Sequence, residues 1–148
     1  MLRFREEGAE VVAVGSGSSE HYAGKYGYPI DVAAAAKDIN VDDFDAVIIP
    51  GGWAPDYLRR YPAVVALVRQ AFEKGKVVAS ICHGGSLLVS AGIAKGKRLT
   101  SFMAIKDDLV AAGADYVDEE VVRDGNLITS RQPEDLPAFC KEIIAALS

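Results

Sequence analysis

The chain has 148 residues, half of them hydrophobic and a quarter charged, which suits one domain with a buried core and is too apolar for disorder. A net charge of −5 without any Lys/Arg cluster excludes a nucleic-acid surface, and no apolar run reaches the roughly 18 residues of a membrane span. Two cysteines, Cys82 and Cys140, make neither a disulfide framework nor a zinc pattern, and residues 1–7 are too charged for a signal peptide, so a reducing cytoplasm is the expected compartment.

In chain order, a short helical piece ends at Gly8 and residues 10–14 read as a strand. Residues 15–31 are rich in Gly, Ser and Tyr and read as a loop, with a short extended excursion at Tyr28-Pro29-Ile30. Residues 45–49 are a buried strand stopped by Pro50-Gly51-Gly52. Residues 62–74 carry apolar side chains at helical spacing, with Pro62 in the first turn and Gly75 past the end. A second buried strand, 77–81, leads into a helix, 84–90, that ends near Gly92. Residues 98–101 read as a strand and 105–112 as a helix stopped by Gly113. Strands 117–122 and 127–130 flank Asp124-Gly125-Asn126, a hairpin signal. Residues 133–147 form a closing helix in which Pro137 is tolerable only in the first turn. Strands alternating with helices predict one α/β domain over 1–148, its sheet largely parallel and covered on both faces.

The run Ala79-Ser80-Ile81-Cys82-His83-Gly84-Gly85 places a thiol where a buried strand turns into a helix. Strand ends of this kind open into the crevice where ligands bind, and a helix N-terminus favours thiolate over thiol. Small residues after the turn, Gly84 first, let a substrate approach the backbone. Cys82 could instead be a small buried hydrophobe, but its place and the adjacent His83 favour a functional thiol. His83 could equally cap the helix, since neighbours in sequence seldom point the same way. The amides of Pro50-Gly51-Gly52 could face Cys82 as an oxyanion site, although that tripeptide also ends strands for structural reasons. Trp53 and Asp56 bring an indole and a carboxylate to the same mouth. His21 reads as a solvated loop residue, Cys140 as packing on the last helix, and residues 106–108 and 118–120 as solvated or capping charges. No phosphate loop or metal set is present, so neither cofactor nor metal is expected.

Pro50-Gly51-Gly52, then Ala54-Pro55-Asp56, a helix, and Ser80-Ile81-Cys82-His83-Gly84 together resemble the ThiJ/PfpI superfamily, nearest its intracellular cysteine peptidase branch. The likeness continues through residues 88–93, Thr100-Ser101, residues 105–108, Gly113-Ala114, residues 120–122, Asp124-Gly125-Asn126 and Ser130-Arg131. It implies a flavodoxin-like three-layer sandwich with a mostly parallel sheet, assembling as a homodimer or homohexamer with sites at subunit interfaces. It also implies a stress-linked peptidase, glyoxalase or deglycase acting on peptides or small carbonyl compounds. Cys82 then corresponds to the nucleophile, His83 to its partner, and the Gly52 and His83 amides to the oxyanion donors. Gly51, Trp53, Gly84 and Phe102 correspond to site-lining positions. Asp56 matches an acid supplied to His83 by a neighbouring subunit, a position that is Glu in most of the branch. Gly85 stands where the branch has Pro, and Phe102 where it has Tyr. The family opens with a strand and a helix start bearing a Glu beside the thiol, whereas residues 1–8 align with the end of that helix. The expected sheet therefore lacks the usual first strand, and the 148 residues read as part of a longer chain. The competing expectation is a redox-sensing or chaperone-like domain in which Cys82 is oxidised without turnover.

Overall fold

The computed structural model describes residues 1–148. Helix α1 (Leu2–Glu6) ends at Gly8, whose φ of +85° suits glycine. Strand β1 (Val14–Gly15) is followed by a hairpin of β2 (His21–Ala23) and β3 (Pro29–Asp31), then by β4 (Ala34–Ala35), which pairs in parallel with β1. Two short 3-10 turns lead to β5 (Ala46–Ile49), α2 (Ala54–Leu58), α3 (Pro62–Glu73) and β6 (Val77–Ile81). The second half runs α4 (Gly85–Ala91), β7 (Arg98–Leu99), α5 (Lys106–Ala111), β8 (Asp115–Tyr116), β9 (Val121–Asp124), β10 (Leu127–Ser130) and α6 (Leu136–Leu147).

The main sheet has the order β5-β6-β10-β9, parallel except for the β9–β10 hairpin. Side-chain alternation along β6 sorts the two layers. Val78 joins a large core with Leu67 and Val68 of α3 and Leu87 and Leu88 of α4. Val77, Ala79 and Ile81 join a second core with Phe139 and Ile143 of α6 and Phe4 of α1. This is the expected α/β flavodoxin-like sandwich. The register sets Ile49 beside Ser80 and Ser130 beside Ile81, so three parallel strands end at one level. The segments starting at Pro50, Cys82 and Arg131 therefore emerge together.

Several boundaries differ from the sequence expectation. Within residues 15–31 the extended excursion expected at Tyr28-Pro29-Ile30 is β3, and it is half of a hairpin: β2, which was expected as loop, pairs with it across His21–Asp31, and both strands are exposed, so their alternation buries nothing. Of the predicted strand 10–14 only Val14 enters a ladder, joined there by Gly15, because the partner β4 is two residues long. The predicted strand 117–122 is interrupted. Val117 still bonds to Leu99 beside β7, whereas Val121 pairs with Ser130 of β10, so the chain must change partners between them. Helix α2 has no counterpart among the predicted elements; five residues with Pro55 in second place carry too little periodicity to show. Pro137 sits in the first turn of α6 because residues 133–135 form a 3-10 turn ahead of it.

Strands β1 and β5 do not pair with each other. Between them runs an apolar cleft of about 140 Å³, lined by Val12 and Val14 on one side, by Val47, Ile48 and Ile49 on the other, and floored by Val68 of α3. Their facing edges carry no ladder hydrogen bonds. Ile48 is exposed on a strand that is otherwise part of the sheet.

Candidate active site

Cys82 is the first residue after β6 and adopts φ +60°, the one non-glycine residue of the chain with positive φ. It opens a 3-10 turn, Cys82–Gly84, that runs directly into α4. A β-carbon in the left-handed region crowds its own carbonyl, so this conformation persists only when the surroundings fix it. Those surroundings are glycines. A β-carbon on Gly51 would lie 2.7 Å from the Cys82 β-carbon and 3.4 Å from its sulfur. One on Gly84 would lie 2.8 Å from Ser80 Oγ and 3.1 Å from the Ile49 carbonyl. The turn closes because both positions lack side chains.

The Cys82 sulfur lies 3.4 Å from His83 Nδ1, so the adjacent residues do point the same way, as the left-handed turn allows. Both are half-buried. The His83 ring lies between two aromatic side chains: Trp53 at 5.8 Å and Phe102 at 5.1 Å between ring centroids. The Phe102 amide donates to the Cys82 carbonyl at 3.4 Å, tying the segment after β7 to the thiol. Gly52 has φ +70°, and its amide donates to no acceptor within the chain.

Asp56 is not at His83 within one chain. Its carboxylate accepts from Arg60 Nη2 at 2.7 Å on the exposed side of α2. The His83 ring has no hydrogen bond to any side chain but Cys82. The structure thus gathers Cys82, His83, Gly51, Gly52, Trp53, Gly84 and Phe102, and leaves Asp56 outside. His21 is exposed, but hydrogen-bonds Asp31 at 2.8 Å across the hairpin. Cys140 packs against the core shared with Phe139 and Ile143. No cluster of His, Cys, Asp and Glu is placed to hold a metal ion.

Sequence reasoning missed the support beneath the turn. Ser80, Thr100, Ser101, Thr129 and Ser130 form a band of buried hydroxyl residues at the strand ends, where the Thr100 amide donates to Thr129 Oγ1 at 2.9 Å. Arg131, immediately after β10, donates to Asp135 at 2.9 and 3.1 Å and to Asp118 at 2.8 Å. The Arg131 hydrogen bonds hold the Asp135 carboxyl below the usual carboxylate range, and the two carboxylates hold Arg131 firmly charged. The Arg-x-x-x-Asp spacing around Pro133 was the available signal.

The sequence profile of the DJ-1/PfpI family matches residues 1–146. The chain belongs to the DJ-1/PfpI family. Among its relatives are an uncharacterized protein of Archaeoglobus fulgidus, 49% identical over 99% of this chain and 87% of its own length, and the deglycase PfpI of Pyrococcus furiosus, 43% identical over 98% and 87%. The putative cysteine protease YraA of Bacillus subtilis is 39% identical over 97% and 85%. A two-domain protein of Anabaena variabilis with DJ-1/ThiJ/PfpI-like and ferritin-like domains superposes with a TM-score of 0.95 at 45% identity. It is matched over 98% of this chain, which spans 43% of that protein. Drosophila melanogaster DJ-1beta superposes with a TM-score of 0.89 at 33% identity, over 98% of this chain and 78% of its own. DJ-1/PfpI relatives of this chain thus carry the names of enzymes, deglycases and a cysteine protease among them. No helix of the chain is long and apolar enough to cross a membrane.

Proposed function

We propose that the chain is a cysteine-dependent hydrolase or lyase of the PfpI type, acting on peptides or small carbonyl compounds in the manner of a peptidase, glyoxalase or deglycase. The observation that carries this reading is Cys82 in the left-handed turn at φ +60° with its sulfur 3.4 Å from His83 Nδ1. A thiol presented at a strained strand-to-helix turn beside a base is the arrangement of an activated nucleophile. The Cys82 sulfur, its proton passed to His83, bonds to the substrate carbonyl carbon. The carbonyl π pair moves onto oxygen, where the Gly52 and His83 amides receive it. With a peptide, collapse expels the amine, which takes its proton from His83; with a dicarbonyl such as methylglyoxal there is no leaving group, and His83 instead moves the proton of the hemithioacetal carbon to the neighbouring carbonyl carbon through an enediol, which leaves a 2-hydroxyacyl thioester. In both cases water activated by the same imidazole hydrolyses the thioester and returns the proton to the Cys82 sulfur. Asp56 of a second subunit orients His83, in a homodimer or homohexamer whose contacts include exposed Trp53 and Tyr57 on and beside α2.

Turnover of methylglyoxal and of a fluorogenic peptide by the wild-type chain, Cys82→Ser and Cys140→Ser tests this. The expectation is activity in the wild type and Cys140→Ser and none in Cys82→Ser. Equal rates in all three would refute it. A second reading, an oxidisable sensor or chaperone-like thiol without turnover, is favoured by the missing acidic partner of His83 within the chain. Peroxide treatment with mass mapping that finds Cys82 oxidised, beside no turnover of either substrate, would decide for it.

A further inference from the structure

An imidazole that serves a thiol must be held in one orientation, and a third group normally does this through a hydrogen bond. Within this chain no carboxylate or carbonyl is bonded to the far side of His83. What flanks the ring is aromatic. Trp53 lies at 5.8 Å with planes inclined by 36°, and Phe102 at 5.1 Å with planes inclined by 32°. Both distances fall in the range in which ring pairs attract. The two rings come from independent segments, each tied to the nucleophile. Phe102 donates its amide to the Cys82 carbonyl, and Trp53 stands two residues after Gly51, where only the absence of a β-carbon leaves room for Cys82. Trp53 is also 75% exposed and takes no part in either core, so stability of the fold gives no reason for an indole there.

We infer that Trp53 is a positioning residue, which with Phe102 clamps the His83 imidazole so that Nδ1 faces Cys82. The inference rests on the reading of Cys82 and His83 as a working pair. In a Trp53→Ala variant the imidazole loses one of its two walls, which a partner's carboxylate at the far nitrogen does not replace, and the fraction of time Nδ1 meets the sulfur falls. The loss matches one aromatic pair, about two- to tenfold.

The chain has a single tryptophan, so the clamp reports on itself. The experiment compares wild type, Trp53→Ala, Trp53→Phe and His83→Ala in three measurements: iodoacetamide labelling of Cys82 with Cys140 as internal reference, steady-state turnover of methylglyoxal, and tryptophan emission. Trp53→Ala is expected to slow Cys82 labelling and lower kcat about two- to tenfold, with KM and Tm nearly unchanged. Trp53→Phe is expected to restore most of the loss, and His83→Ala to shift the emission of Trp53. Wild-type labelling in Trp53→Ala, a loss confined to KM, a loss that follows subunit dissociation in sedimentation, or emission unchanged in His83→Ala would overturn the inference. Absence of turnover in the wild type would refute the proposed function alone, since labelling and emission still decide the clamp.

Discussion

At Cys82 the backbone sits in a region that costs a non-glycine residue on the order of 1–2 kcal/mol, and the strain aims the side chain out of the strand toward His83. Replacing Cys82 with Gly should therefore abolish turnover while raising the melting temperature by about 2–4 °C; a lowered melting point in calorimetry would show that the turn is unstrained. Gly51 makes the opposite test. Its missing β-carbon leaves room for Cys82 at 2.7 Å, so Gly51→Ala should lower turnover more than tenfold, about the effect of a misplaced nucleophile, while circular dichroism stays native. Full activity in Gly51→Ala would refute the close approach. The nucleophile was legible in the sequence because a buried run, a small-residue turn and a helix start converge on it. The contact with Gly51 was not, since it depends on the register of β5 against β6, which no local pattern encodes.

Among the elements, α6 is secured at its start by Arg131, which joins the end of β10 to Asp135 and to Asp118 in the segment before β9. Asp135 is buried, and the Arg131 hydrogen bonds depress its pKa. A depressed carboxylate contributes stability that is complete above its unfolded value of about 3.9 and is lost as pH falls through the lower folded value. Asp135→Asn should thus lower the melting temperature at neutral pH by about 3 °C and flatten its decline in acid. Parallel melting curves for variant and wild type below pH 4 would contradict this. Long periodic elements such as α3 and the buried β6 stood out in the sequence. The short α2, the β2 half of the exposed hairpin and the switch of partner between β8 and β9 did not. Five residues cannot display a period, and a strand that buries nothing has no alternation to read.

Over the whole molecule, two features face outward with unfinished business. One is the aromatic surface of Trp53 and Tyr57 around Asp56. If Asp56 serves the His83 of another subunit, mixing inactive Cys82→Ser with weakened Asp56→Asn chains should restore activity by pairing an intact acid with an intact thiol. Failure of the mixture to exceed the sum of its parts would place Asp56 outside the reaction. The other is the apolar cleft between β1 and β5, whose walls are almost wholly hydrophobic and whose strand edges are bare. An apolar fluorescent dye should bind the native chain there, and Val47→Lys, which puts a charge on the cleft wall, should abolish the signal; undiminished binding would locate the dye elsewhere. The flavodoxin-like class was legible from the alternation of strands and helices, but a cleft is a relation between distant segments and has no local mark.

That cleft also divides the molecule mechanically. Amide protons of β6 and β10, each flanked by neighbours on both sides, can exchange with solvent only when the domain opens as a unit. Those of β1 and β4, a two-stranded ladder outside the main sheet, are expected to exchange sooner. Strand β5 is the hinge-side rail of this division, braced on one edge only, and it runs straight into Pro50, Gly51 and Gly52. Slower exchange in β5 on filling the cleft is the expected sign that packing on its free edge reaches the loop that meets the thiol.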